Sequence, residues 1–310
     1  MQKHRDPRLP DATTTGHAPF GEYQTWYRVT GDLTETSGPP PLVVLHGGPG
    51  CAHDYTLAMA NLATDGRAVV HYDQLGCGLS THLPDAPDDF WTVDLFVAEL
   101  RNLVAHLGIS RRFHLLGQSW GGMLGPEVVL DDSSGIQSLS ICDSPASMPL
   151  WLDAAAQLRA QLPPEVQETL TAHEEAGTTD SPEYEAATKV FYDRHVCRVV
   201  PNPPEVTATF TQMAEDPTVY HAMNGPSEFH VIGSLKDWSV VDRLEGVDVP
   251  TLVVAGEHDE AMPHTWAPFV ERIPNVRSHV FPGASHMPHV ETPEEFLAVV
   301  GDFLREHDTP

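Results

Sequence analysis

A serine framed by glycines, in Gly117-Gln118-Ser119-Trp120-Gly121-Gly122, directly follows the strand-like run Arg112-Phe113-His114-Leu115-Leu116 and precedes a helix-like stretch. A strand that turns into a helix this tightly has no room for β-carbons two residues either side of its centre, and it holds the central side chain out for attack. Ser119 is therefore the candidate nucleophile. A serine hydroxyl needs a base, and the base needs an orienting acid. Two late stretches supply such groups: Gly256-Glu257-His258-Asp259-Glu260, after the run Thr251-Leu252-Val253-Val254-Ala255, and Ala284-Ser285-His286-Met287-Pro288, after the last apolar run. Both lie where strands should end. With 18 histidines in the chain, position decides more than residue type, and it favours Asp259 as acid and His286 as base. His258 and His289 compete for the base, and Glu257 and Glu260 for the acid.

These groups need a scaffold that brings strand ends together. Pro41-Leu42-Val43-Val44-Leu45 is a short, wholly apolar strand that stops on His46-Gly47-Gly48-Pro49-Gly50. Glycines at the carboxyl end of a strand let the backbone approach a ligand and point an amide into a crevice, although an ordinary turn has the same composition. Val69-Val70-His71-Tyr72 is another buried strand, followed by Asp73-Gln74-Leu75-Gly76-Cys77-Gly78-Leu79-Ser80, which lacks the full dinucleotide fingerprint. Apolar residues at three- and four-residue spacing from Thr92 to Leu107 predict a helix ended by Gly108, and Ile136 to Cys142 predicts a strand.

From Pro145 to about Leu244 strand-like runs give way to helical segments around Trp151 to Leu162, Pro164 to Ala172 and Tyr184 to Cys197. The alternation then resumes with a helix near His264 to Arg272, a strand from Val276 to Phe281 and a last helix from Pro293. The expected organisation is a core in two parts, residues 1–144 and 245–310, interrupted by a helical cap at 145–244. Tyr23 to Val29 should be an antiparallel edge strand, and Met1 to about Pro19 a mobile or loosely draped arm.

Composition removes several function classes. With 310 residues, 41% of them hydrophobic, the chain can bury a large core. Seventeen basic against 44 acidic residues give a formal charge of −27, which repels phosphate backbones and anionic membrane surfaces. The same field favours a cationic small substrate, or serves solubility alone. Cys51, Cys77, Cys142 and Cys197 are widely spaced and read as reduced, with no metal-ligand cluster. No stretch approaches about 18 uninterrupted apolar residues, and no apolar stretch follows the start, so neither a membrane span nor a signal peptide is expected; a cytoplasmic location is the default.

Taken together, the His46 to Gly50 cluster, the Asp73 to Ser80 loop and the Gly117 to Gly122 motif resemble the proline iminopeptidase family of α/β-hydrolases. That family includes prolyl aminopeptidases, the tricorn-associated aminopeptidase factor and L-amino-acid or L-prolinamide amidases. The resemblance runs through the cap and the late motifs and so spans nearly the whole chain. It implies an α/β-hydrolase fold: a mostly parallel sheet flanked by helices, with an inserted helical cap. Its chain order of Ser, acid and His matches Ser119, Asp259 and His286. It implies oxyanion donors on the backbone N–H groups of Gly48 and Trp120, and acidic residues that bind a substrate amino terminus at Glu228 and Glu260. A buried ammonium must meet negative charge, which is the physical reason for such carboxylates.

The expected activity is release of an N-terminal proline, or another small or apolar residue, from a peptide or amide through an acyl-enzyme, with no cofactor. The expected partner is a small peptide or amino-acid amide with a free N-terminus. An amino-acid amidase would use the same residues with less leaving-group space. A carboxylesterase would dispense with Glu228 and Glu260, and a non-catalytic binding protein of this fold would have no need of the whole set. Serine at the elbow excludes an aspartate-nucleophile dehalogenase.

Overall fold

The chain's short apolar runs become buried strands, and its amphipathic runs cover them. The computed structural model describes residues 9–35 and 37–308. Its strands are β1 (Thr14–Phe20), β2 (Tyr23–Thr30), β3 (Leu42–Leu45), β4 (Val69–Tyr72), β5 (Phe113–Gln118), β6 (Ile136–Cys142), β7 (Thr251–Gly256) and β8 (Val276–Phe281). They form one sheet in the order β1-β2-β4-β3-β5-β6-β7-β8. β1 and β2 pair antiparallel, β2 pairs antiparallel with β4, and β4 through β8 with β3 are parallel.

Every residue of β3, β4, β5 and β7 is buried, because helices cover both faces of the sheet. Alternate side chains therefore enter different cores. Val43, Leu45, Leu115 and Val253 join a cluster with α1 (Val93–His106), α2 (Trp120–Asp131) and α8 (Pro263–Arg272). Leu42, Val44, Leu116 and Val254 face the opposite way, onto the 3₁₀ run Asp54–Asp65 and α10 (Pro293–Glu306). The helix expected from Thr92 starts at Val93, with the Thr92 hydroxyl capping the Leu95 N–H.

Between β6 and β7 the described residues hold helices and short turns but no strand: α3 (Met148–Arg159), α4 (Pro164–Ala176), α5 (Pro182–His195), α6 (Pro204–Glu215) and α7 (Thr218–Met223). α6 begins inside the Pro201-Asn202-Pro203-Pro204 run that reads as a break, with Pro204 as its first residue. Proline is compatible with a first helical turn, where its missing N–H has no partner to lose.

The arm expected before Pro19 is corrected in part. Thr14–Phe20 form β1, an edge strand registered on β2 from Thr14 opposite Val29 to Phe20 opposite Tyr23. Its side chains are mostly solvent-facing, so apolar alternation is lost. Residues 1–8 of that expectation lie outside the described residues.

At the amino-terminal edge of the parallel strands, Arg67 is wholly buried. Its guanidinium meets Asp308 at 2.9 Å, Asp65 at 3.3 Å and the Pro40 carbonyl at 2.9 Å. Asp308 also reaches His114 Nε2 at 3.1 Å, and His114 Nδ1 reaches Ser138 Oγ at 2.7 Å. Asp308 thus ties together the starts of β3, β4, β5 and β6.

Candidate active site

At the opposite edge, the parallel sheet gathers the carboxyl ends of its strands, the place where open α/β sheets bind ligands. Ser119 follows β5 with φ 56° and ψ −121°, a conformation costly for a residue with a β-carbon. The structure over-determines it. The Ser119 N–H donates to the Cys142 carbonyl at 2.9 Å, and its own carbonyl accepts the N–H groups of Gly122 at 2.8 Å and Met123 at 3.1 Å. The Ser144 hydroxyl adds a hydrogen bond to the same carbonyl at 2.7 Å. A β-carbon at Gly117 would lie 2.0 Å from the Gly121 oxygen, and one at Gly121 would lie 2.1 Å from the Leu45 oxygen. That is why the elbow needs glycine at both positions. Gln118 and Trp120 are buried, whereas Ser119 between them is partly open.

Gly48, after β3, has φ 108°. Neither its N–H nor that of Trp120 has an acceptor among the described residues. Both residues line one narrow cavity with Ser119, Pro49, Trp151 and Glu228.

His286 Nδ1 lies 2.7 Å from Asp259 Oδ1, which also accepts the Ala261 N–H at 2.8 Å. A donating Nδ1 leaves Nε2 as the basic nitrogen. Burial works to lower the His286 pKa, but the charge and hydrogen bond of Asp259, with Glu228 and Glu291 behind them, raise it above the ordinary value. The competitors separate here. His258 is a surface side chain with Glu257 3.9 Å away. His289 is buried against the Tyr55 carbonyl at 3.1 Å, and that burial pushes its pKa down to about 3.

Glu260 is 2% exposed, yet neither carboxylate oxygen has a hydrogen-bond partner among the described residues. The His286 Nε2 stands 3.7 Å from its Oε1. Glu228, from the segment after α7, accepts the Tyr220 hydroxyl at 2.7 Å, and its carbonyl accepts Trp151 Nε1 at 2.7 Å. Burial raises the Glu228 carboxyl pKa against the lowering effects of the Tyr220 hydrogen bond and His286, while burial, with the Glu228 and Asp259 charges added, holds Glu260 well above the usual range. Two crowded carboxyls with no cation between them form a site suited to a positive group.

Sequence reasoning missed the braces. The Tyr55 hydroxyl accepts the Gly47 N–H at 2.7 Å and donates to Gln118 Oε1 at 2.5 Å; Gln118 Nε2 then donates to the His286 carbonyl at 2.7 Å. One buried chain of hydrogen bonds thus joins the glycine loop, the serine turn and the histidine loop. Gln74 makes a second brace, accepting Trp120 Nε1 at 2.8 Å and donating to the His46 carbonyl at 3.1 Å. Asp143 was also overlooked; it is buried after β6 with φ 54°.

Among the described residues, no group of three His, Cys, Asp or Glu side chains is arranged to hold a metal, and no helix is long and apolar enough to cross a membrane. All four cysteines are buried and free of disulfides.

The alpha/beta hydrolase fold family matches residues 40–293. A proline iminopeptidase of Heyndrickxia coagulans is 40% identical over 272 residues, which is 87% of this chain and 92% of that protein. Among solved structures, the proline iminopeptidase of Mycobacterium smegmatis shares 58% identity with a TM-score of 0.88, covering 95% of this chain and 99% of the other. The structure of VinJ shares 55% identity with a TM-score of 0.94, over 96% of this chain and 100% of that one. On the strength of full-length similarity in both sequence and fold, this chain belongs to the proline iminopeptidase family of α/β-hydrolases.

Proposed function

We propose that this protein is a serine exopeptidase that releases an N-terminal residue, proline foremost, from peptides or amides through an acyl-enzyme. The observation that carries the reading is the pair of crowded carboxyls, Glu260 and Glu228, beside the histidine of a Ser-His-Asp set. An esterase acting on uncharged acyl groups has no use for buried negative charge there, whereas an ammonium beside the scissile bond would neutralise it.

His286 Nε2 takes the Ser119 hydroxyl proton as Oγ attacks the acyl carbon, and returns it to the leaving nitrogen as the carbon–nitrogen bond breaks. Water then attacks the ester with His286 again as base, which frees the amino acid and restores Ser119. Asp259 holds the imidazole tautomer and stabilises the imidazolium. The N–H groups of Gly48 and Trp120 receive the oxyanion, each worth roughly 3–4 kcal/mol of transition-state stabilisation. Residues 145–244 act as a cap that brings Glu228 and Trp151 over the serine.

The test is turnover of prolyl, alanyl and phenylalanyl arylamides, N-acetyl-prolyl arylamide and a short-chain aryl ester by wild type, Ser119→Ala and Glu228→Gln. Free-amine prolyl substrate should be cleaved and its acetylated form refused. Glu228→Gln should damage the former, and Ser119→Ala should be inert. Turnover of the ester alone, indifferent to Glu228, would make the protein a carboxylesterase.

A further inference from the structure

Behind Asp259 lies a second carboxyl that the steps above do not use. Asp143 follows β6, the strand beside β7, so both side chains leave the same edge of the sheet. The Asp143 N–H donates to the Val254 carbonyl at 2.8 Å, and its Oδ1 accepts the Gly256 N–H at 3.1 Å, which pins the residue to the end of β7. There its side chain lies against that of Asp259, whose own N–H donates to the Gly256 carbonyl at 3.3 Å. Oδ1 of each residue is engaged elsewhere, while Oδ2 of each has no donor.

Two ionised carboxylates touching in the interior would repel strongly and would leave both Oδ2 atoms bare. One proton between them removes both faults. Its owner follows from the other partners. Asp259 already accepts the His286 N–H and the Ala261 N–H, whereas Asp143 has one backbone donor on its side chain and Glu291 as a further negative neighbour. We propose that Asp143 is a neutral carboxylic acid whose Oδ2–H donates to Asp259 Oδ2, and that it thereby positions the triad acid on His286. Consistent with this, burial first and the Asp259 charge second hold the Asp143 carboxyl well above the ordinary range.

Asp143 is a positioning residue, since it acts through Asp259 and touches no reacting atom. A neutral donor fixes the Asp259 rotamer without adding charge; an ionised Asp143 would instead drive the His286 pKa further up. Asparagine reproduces the neutral form, because its Nδ2 donates to Asp259 while its oxygen still accepts from Gly256. Leucine keeps the bulk and loses the donor.

The inference rests on the triad reading, so its test includes a measurement independent of turnover. Asp143→Asn should keep kcat within about threefold, while Asp143→Leu should lose about tenfold or more in kcat with KM unchanged. The infrared difference between wild type and Asp143→Asn at neutral pH should contain the carbonyl stretch of a protonated carboxylic acid, and this arm stands even if the leucine variant fails to fold. Absence of that band, or an Asp143→Asn variant as slow as Asp143→Leu, would show that Asp143 is ionised and overturn the proposal. Full activity of Asp143→Leu would remove its positioning role. Wild-type turnover that survives Ser119→Ala would overturn the triad reading instead and leave the infrared result to decide the protonation of Asp143.

Discussion

Glu260 has a peculiarity that no structural role explains: a carboxyl nearly sealed from water, with no donor among the described residues, 3.7 Å from Nε2 of His286. If it receives a substrate ammonium, Glu260→Gln should lower kcat/KM for a free-amine prolyl arylamide by about 100-fold, or about 2.7 kcal/mol, with stability unchanged or improved. Equal loss on the ester substrate would argue against that role. Glu228 has a second effect that pH can isolate. In the proposed mechanism His286 must be neutral to act as base, so kcat/KM should rise as pH climbs through its pKa. Because the Glu228 charge helps raise that pKa, Glu228→Gln should move the acid limb of the profile to lower pH. An unmoved limb would separate Glu228 from His286 electrostatically.

The elements matter because they hold loops of distant sequence in register. Tyr55 and Gln118 are 63 residues apart and Gln118 and His286 are 168 apart, yet two hydrogen bonds join them. Tyr55→Phe should strand the Gly47 N–H and Gln118 Oε1. The expected cost is about 1–3 kcal/mol in the denaturant midpoint, together with a fall in kcat at nearly constant KM. Helix α1 contributes a different device. Its Glu99 is buried, accepting the Thr25 hydroxyl at 2.5 Å and the Leu75 N–H at 3.1 Å, and burial pushes its pKa up to about 7. The folded state therefore binds this proton more tightly than the unfolded one. Stability from this group is full below the unfolded value near 4.5 and is lost as pH rises to about 7. Between about pH 5 and about pH 8 the wild-type Tm should fall more than that of Glu99→Gln. Legibility in the sequence divides along the same line. The serine turn, the glycine loop and the two late strand ends were readable because their constraints lie within a few residues. Strand β1 escaped notice because an edge strand facing solvent has no apolar alternation. Tyr55, Gln118 and Asp143 escaped because their partners are supplied only by the closed sheet.

Over the whole molecule, the strand ends divide the labour: the carboxyl edge holds crowded acids without cations, and the amino edge holds the buried cation Arg67 with its acids supplied. Removing the side chain in Asp308→Ala should leave that guanidinium under-neutralised. A loss of roughly 2 kcal/mol is expected, below the figure for a fully enclosed pair because Asp308 sits at the rim and Asp65 remains. Calorimetry should show the lowered Tm, with kcat per folded molecule unchanged. Asp308 also has a place in time. It follows Arg67 by 241 residues, so during synthesis it leaves the ribosome long after its partner. The nascent chain can pair β3 with β4 early, but their shared buried charge finds its Asp308 counter-ion only after all eight described strands have been made. A chain released just before Asp308 is added would hold the whole carboxyl edge and still be one that quality control has reason to remove.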